Sequence, residues 1–303
     1  MKKVIGKDIM EKLSIKSKSK VGIILFLLPI IILFTAFFLY PIGFLLVTSF
    51  YKWDGLSAPT LVGIKNYISL FMDPVFRLSI RNNIGWLLAG GFIQIPLATL
   101  VAILLARKPK GWEFLRTVYY FPNVISIVAI SIMWMAIYNS GYGALNGLLK
   151  LVGLANLQRN WLGDLHLTYP AVVLYGVFYI GYFMIIILAE ISSIPKQYYE
   201  VASIDGATRF QQELYITLPL IKNSICTCMI IAMVYGLRQF EQTYIMTNGG
   251  PANKTMVMVL YLFKKMHSFR YGLASTSGII LLIMGVFVIV GVRKLFKVEK
   301  YEM

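Results

Sequence analysis

Tyr235, Gln239 and Gln242 stand at i, i+4 and i+7 within the apolar stretch MIIAMVYGLRQFEQTYIM. On one helix that spacing gathers a ring and two amides on a single face. Amides hydrogen-bond to hydroxyl groups and aromatic rings stack on sugar faces, so the set suits a polyhydroxylated ligand. Gly236 beside Tyr235 leaves room for such a ligand. Tyr175, Tyr179 and Tyr182 form a second aromatic stripe in VLYGVFYIGYFM, which serves equally as packing or as an interfacial belt. Asn123, with Ser126, follows Pro122 in another apolar stretch and is a further candidate. Arg238 and Glu241 are ionisable groups at apolar depth, where such groups face a cavity or a partner. At i, i+3 they are expected to neutralise one another.

Other chemistries lack their residues. No GxxxxGK[ST] loop is present to cradle phosphates, and neither HExxH nor GxSxG occurs. The two histidines, His166 and His267, are about 100 residues apart, so no metal site or catalytic triad is expected. Cys226 and Cys228 point in different directions on a helix and read as small core- or lipid-facing residues.

The elements that carry these residues follow from composition. The chain has 303 residues, 58% of them apolar and 14% charged, with a mean hydropathy of +0.72. That is too hydrophobic for a soluble domain and bounds the class as a multispanning membrane protein. The formal charge of +16 sits between the apolar spans and at both ends, which points to anionic lipid headgroups and not to nucleic acid. The first 20 residues hold seven lysines and no apolar run, so no cleavable signal peptide is expected.

A spanning helix needs about 20 apolar residues. Six stretches qualify: about 22–50, 83–106, 117–138, 169–190, 223–246 and 274–296. The first is long enough to tilt, or to break near Pro41. With both termini inside, the inner segments hold 18 lysines and arginines against 10 in the outer loops, which favours an N-in, C-in topology. The expected fold is all-α, with a basic cytoplasmic segment at 1–21, a membrane domain at 22–296 and a cytoplasmic tail at 297–303.

The polar stretch 194–221 falls on the inner side between the fourth and fifth spans. Ser193 and Pro195 suit a helix start, and Lys196 to Ile204 can run helically until Gly206 stops them. Thr208 and Gln211 form a capping-box pattern for a second helix, with Asp205 as the alternative cap. That helix carries Phe210, Leu214 and Ile216 on one side, and Pro219 biases Leu218 away from helix. Such a helix–Gly–helix element either rests on headgroups or docks on a cytoplasmic protein. Its acidic Glu200, Asp205 and Glu213 favour the protein, because anionic lipid would repel them.

Glu200-Val201-Ala202, Asp205-Gly206-Ala207 and Ile216-Thr217-Leu218-Pro219 resemble the EAA loop of ABC importer permeases. Val201 in place of the middle alanine is a mild departure. TNGGP at Thr247–Pro251, the run from Tyr271 to Ser275, Tyr40-Pro41-Ile42, the run from Val62 to Tyr67 and Trp161-Leu162-Gly163-Asp164 are similar to the carbohydrate-type branch, which includes maltose-type and glycerol-3-phosphate-type permeases. The resemblance runs from about residue 22 to 296.

It implies a non-enzymatic subunit of a bacterial cytoplasmic-membrane importer working by alternating access. A second permease (a heterodimer), two cytoplasmic ATP-binding subunits and an extracytoplasmic sugar-binding protein would complete it. ATP and magnesium would belong to the partners, with no cofactor or metal in this chain. Glu200, Ala202, Asp205, Gly206, Ala207, Phe210, Leu218 and Pro219 would meet the ATPase. Tyr175, Tyr179, Tyr182, Tyr235, Gly236, Gln239, Gln242 and Asn123 would line the substrate path, and Asn248, Gly249 and Gly250 would face the binding protein. The substrate would be a mono- or oligosaccharide. Glycerol-3-phosphate is the alternative, although a phosphate would want cations along the path. An ion-coupled secondary transporter would need inverted halves and an intramembrane carboxylate; Glu241 alone offers the latter.

Overall fold

The computed structural model describes residues 22–296; the basic segment 1–21 and the tail 297–303 lie outside them. Four helical stretches are long and apolar enough to cross a membrane. They are α1 (Gly22–Thr48), the short α2 (Lys65–Met72) not being one of them, then α3 (Pro74–Ala106), the pair α7 (Thr168–Val177) and α8 (Gly181–Ser193), and α14 (Tyr271–Phe296). Two bent pairs could each add a span. One is α4 (Trp112–Tyr120, extended by a 3-10 turn to Val124) with α5 (Ile127–Ile137), bent by 102°. The other is α10 (Arg209–Leu220) with α11 (Lys222–Leu237), bent by 67°. The remaining elements are α6 (Ala144–Leu151), α9 (Lys196–Ile204), α12 (Glu241–Thr247), α13 (Met258–His267) and a two-residue strand pair, Tyr51–Lys52 with Thr60–Leu61.

Three boundaries differ from the sequence reading. The second span begins at Pro74, not near 83, because Asp73 caps it by accepting from Val75 N at 2.8 Å. Arg77 and Arg81 therefore lie on its first turns and not in a loop. The third span is not one continuous helix, for its pair turns sharply at Ile125 and Ser126. The fifth helix ends at Leu237, well short of 246.

Prolines inside the helices are absorbed by a common device. Wide π-turns at Thr35–Leu39, Gly90–Gln94 and Glu213–Thr217 each end two residues before a proline, Pro41, Pro96 and Pro219. Proline removes a backbone donor and crowds the carbonyl four residues back; a widened turn relieves both. Hence α1 does not break at Pro41. Leu218 is helical (φ −59°, ψ −43°), against expectation, and the bend falls instead at Ile221.

α1 buries nothing along its spanning window and is apolar all round. The core instead forms around α3, which packs on α8, α11 and α13. Two buried asparagines on α3 organise one end. Asn82 donates to the Lys254 and Met256 carbonyls, both at 2.8 Å, and Tyr169 donates to the Asn82 carbonyl at 2.6 Å. Asn83, wholly buried, donates to the Leu237 carbonyl at 2.9 Å and the Gly236 carbonyl at 3.3 Å, and accepts from Met258 N at 2.7 Å. A single side chain thus satisfies the end of α11 and the start of α13. Asn83→Leu strands these groups at about 1–3 kcal/mol each. The expected result is a fall in the thermal midpoint of the detergent-solubilised chain equivalent to at least about 3 kcal/mol; an unchanged midpoint would show that the network holds nothing.

Candidate functional site

A cavity of about 420 Å³ opens between α3, the turn after α4, the α7–α8 break and α11. Tyr179, Tyr182, Tyr235, Gly236, Gln239, Gln242 and Asn123 all border it. Trp86, Gln94 and Tyr120 complete its polar and aromatic walls, and no charged side chain lines it among the described residues. The breaks in the surrounding helices make the space. Helical continuity is lost at 178–180, where Gln94 Nε2 donates to the Tyr179 carbonyl at 2.9 Å and adds a bond of 3.3 Å to the Gly176 carbonyl, which also accepts from Tyr179 N. Three buried polar atoms on the wall, Trp86 Nε1, Tyr179 Oη and Gln242 Oε1, have no hydrogen-bond partner among the described residues. Such atoms cost free energy unless a ligand completes them.

Not every expected residue is where the spacing put it. Tyr175 is fully buried beneath the cavity, packed on Trp134 at 5.5 Å between ring centroids and 3.4 Å from the Ser131 hydroxyl. It supports the wall and does not form it. Gly236 borders the cavity, but the space beside it is filled by the α3 backbone; an added Cβ would lie 3.0 Å from Leu87 N and Trp86 O. Its small size serves helix approach, not ligand room. Gln239 lies in the break after α11, so Tyr235, Gln239 and Gln242 converge through a bent chain and not along one helix face. Arg238 and Glu241 flank that break, both exposed, and form no ion pair with each other. The interruption removes the i, i+3 geometry that their neutralisation required.

Tyr235 and Tyr182 are each about half exposed. On α11 the exposed face runs Thr227, Ile231, Tyr235 and on to Arg238. Thr227, Tyr235 and Arg238 make this face partly polar, and polar side chains within a membrane favour a cavity or a protein partner over lipid.

The helix–Gly–helix element is built as its residues dictate. α9 closes in a Schellman motif, with Ala207 N bonded to Ala202 O at 2.8 Å and Gly206 N to Ser203 O at 3.2 Å. Gly206 takes φ +78°, which a side chain would strain. Asp205 ends α9; the cap of α10 is Thr208, in a reciprocal capping box with Gln211. The two helices are tied by Gln212 Nε2 to Ser203 Oγ at 2.9 Å and by Tyr199 to Thr217 at 2.9 Å. Arg107, at the end of α3, pairs with Glu213 at 2.9 Å and anchors the element to the bundle. Glu200, Asp205, Phe210 and Pro219 are exposed, while Ala202, Ala207 and Leu218 are partly covered. Phe210, Ile204, Val201 and Tyr215 are mostly exposed, an apolar surface beside acidic groups.

In TNGGP, Asn248 and Gly249 both take left-handed φ values and end α12. Asn248 is exposed and its carbonyl accepts from Lys264 Nζ at 2.8 Å; Gly250 is half-buried. Gly249 is buried, with Met256 Cε 2.8 Å from where a Cβ would stand, so it does not face a partner.

Sequence reasoning missed Trp86, Gln94, Asn82 and Asn83. Gln94, a polar residue inside an apolar run, was an available signal; Asn82 and Asn83 follow Arg81 at the expected edge of the span, and a lone tryptophan carries none.

The membrane-length helices and the breaks that open a cavity between them are those of a polytopic membrane protein. A family model described as "binding-protein-dependent transport system inner membrane component" matches residues 94–297, and the chain belongs to that family. A probable ABC transporter permease of Bacillus subtilis is 32% identical, covering 94% of this chain and 99% of that one. A lactose transport system permease of Rhizobium radiobacter is 32% identical over 86% of this chain and 90% of its own length. A diacetylchitobiose uptake permease of Streptomyces coelicolor is 31% identical over 82% and 74%. The fold is that of a bacterial ABC transporter involved in import of the polysaccharide alginate, with a TM-score of 0.81, 24% identity and coverage of 94% and 98%.

Proposed function

We propose that this chain is one of two permease subunits of an ATP-driven importer for a sugar, mono- or oligosaccharide, handed over by an extracytoplasmic binding protein. The observation that carries it is the cavity: aromatic faces, amides and three unsatisfied buried polar atoms, with no charge on its walls. That lining matches hydroxyls and ring faces. A phosphorylated ligand such as glycerol-3-phosphate would want cations there, and the lactose and diacetylchitobiose relatives carry sugars.

In this reading the chain crosses the bacterial cytoplasmic membrane six times, with the bent pairs as the third and fifth spans and both termini inside. The exposed stripe through Tyr235 and Arg238 meets the second permease, a different chain, and the substrate path runs between them. α9 and α10 seat in a cleft of the ATPase, which holds ATP and magnesium, and Gly206 lets the backbone approach. Closure of two ATPases moves these helices, and the breaks beside the cavity allow the bundle to open alternately to each side. Asn248 faces the binding protein.

Affinity purification of the chain from its native membrane tests the assembly. The expected result is recovery with an ATPase, a second permease and an anchored binding protein whose ligand is a sugar. Recovery alone, without an ATPase, would replace this reading with a secondary transporter.

A further inference from the structure

The end of the bundle that carries α9 and α10 has a further concavity, of about 300 Å³, that shares no lining residue with the cavity above. Leu105 on α3 and Ile185 and Leu188 on α8 supply apolar walls; Lys108, Trp112 and Arg116 stand at its mouth. The Lys108 ammonium lies 5.7 Å and the Arg116 guanidinium 5.2 Å from the Trp112 ring centre, so one indole carries two cations. Among the described residues neither cation has an acidic partner: the ion pairs there are Arg107–Glu213 and Lys265–Asp73, and Glu113 on α4 and Glu190 on α8 join neither.

The shape and the charge call for different halves of one ligand. An apolar slot between two membrane-crossing helices accepts an acyl chain, and two unpaired cations over an indole at its mouth accept a phosphodiester. A free anion would use the cations and leave the slot empty. We propose that this groove binds one anionic phospholipid of the membrane, with its headgroup between Lys108 and Arg116 and its chain along Leu105 and Leu188. The site has a mechanical consequence. Lys108 follows Arg107, whose guanidinium holds Glu213 of α10 through bonds of 2.9 and 3.2 Å. A lipid fixed there steadies the turn that anchors the projecting helices. The proposal does not depend on what the chain transports.

Brominated acyl chains quench a tryptophan that they touch, and Trp112 is one of five tryptophans, so its signal is the difference between the full-length chain and its Trp112→Phe variant. With each juxtamembrane cation contributing about five-fold to binding, brominated phosphatidylglycerol should quench Trp112 at a level about thirty-fold below that needed for brominated phosphatidylcholine. Lys108→Gln with Arg116→Gln should abolish this preference, and Lys108→Arg with Arg116→Lys should keep it. Equal quenching by the two lipids in the native chain, or an unchanged preference in the glutamine variant, would overturn the proposal. So would relief of quenching by inorganic phosphate, which would make this a free-anion site, or no quenching at all, which would mean that protein covers the groove.

Discussion

Glu200→Lys combined with Gly206→Asp is expected to leave the chain in its membrane and strip it of its ATPase. Both residues are exposed and neither supports the bundle. Nothing lies within 4 Å of a Cβ built on Gly206, so the local cost of aspartate is the strain of φ +78°, about 1–2 kcal/mol. That loosens the Schellman closure but not the core. The effect on docking is larger. If Glu200 meets a basic residue of the ATPase, as the proposed docking requires, a lysine there sets like charges together, at a cost of several kcal/mol, and the aspartate side chain keeps the backbones apart. Loss of co-purification by at least a hundred-fold follows, since about 1.4 kcal/mol is ten-fold. Insertion and expression serve as controls. Undiminished co-purification with full transport would mean that the element docks elsewhere or does not dock. Arg107→Ala is the milder companion: its pair with Glu213 is partly exposed and contributes at most about 1 kcal/mol, so association should weaken only a few-fold.

Local rules in this chain were legible where local physics decides. Pro195, Gly206 and the Thr208–Gln211 pair describe a helix, a left-handed stop and a reciprocal cap, and each lies where its residues require. Apolar length located the spanning stretches to within a few residues at 271–296 and 168–193. What misled was the assumption of straight helices. The i, i+4, i+7 spacing put Tyr235, Gln239 and Gln242 on one helix face, whereas they border one cavity through a bent chain because α11 ends at Leu237. The break exists because Asn83, 154 residues away from Leu237, takes over the carbonyls that the helix leaves open. No window along α11 contains that information. Tyr175 shows the same limit: one stripe of three tyrosines splits into two at the cavity edge and one in the core, because Trp134 and Ser131 arrive from another span. The π-turns were hidden for a different reason, since proline alone marks a defect without saying whether a helix bends or widens.

Gln242→Leu with Trp86→Phe is expected to cut transport while sparing stability, and the combination separates a ligand site from a structural one. Gln242 is 4% and Trp86 3% exposed, and each holds a polar atom that no described residue satisfies. If these atoms serve the fold, removing them costs stability. If they wait for a ligand, the folded chain loses nothing, because deleting an unsatisfied buried group relieves about 1–3 kcal/mol of desolvation. Leucine keeps most of the packing at 242; phenylalanine keeps a ring at 86 but loses the indole edge beside Gly176, where an added Cβ would lie 2.4 Å from Cζ3, and the relief of the stranded Nε1 offsets that loss. Two hydrogen bonds to substrate hydroxyls, at about 1 kcal/mol each and more where a hydroxyl is left stranded, correspond to a loss of about 30- to 100-fold in transport at limiting substrate. The thermal midpoint should hold or rise. The pair is measured in vesicles carrying the complete assembly, with Tyr175→Phe as the control: its hydroxyl lies outside the cavity walls, so transport should change little. A fall in midpoint with transport unchanged would assign Trp86 and Gln242 to the core and move the sugar path to another face of the bundle.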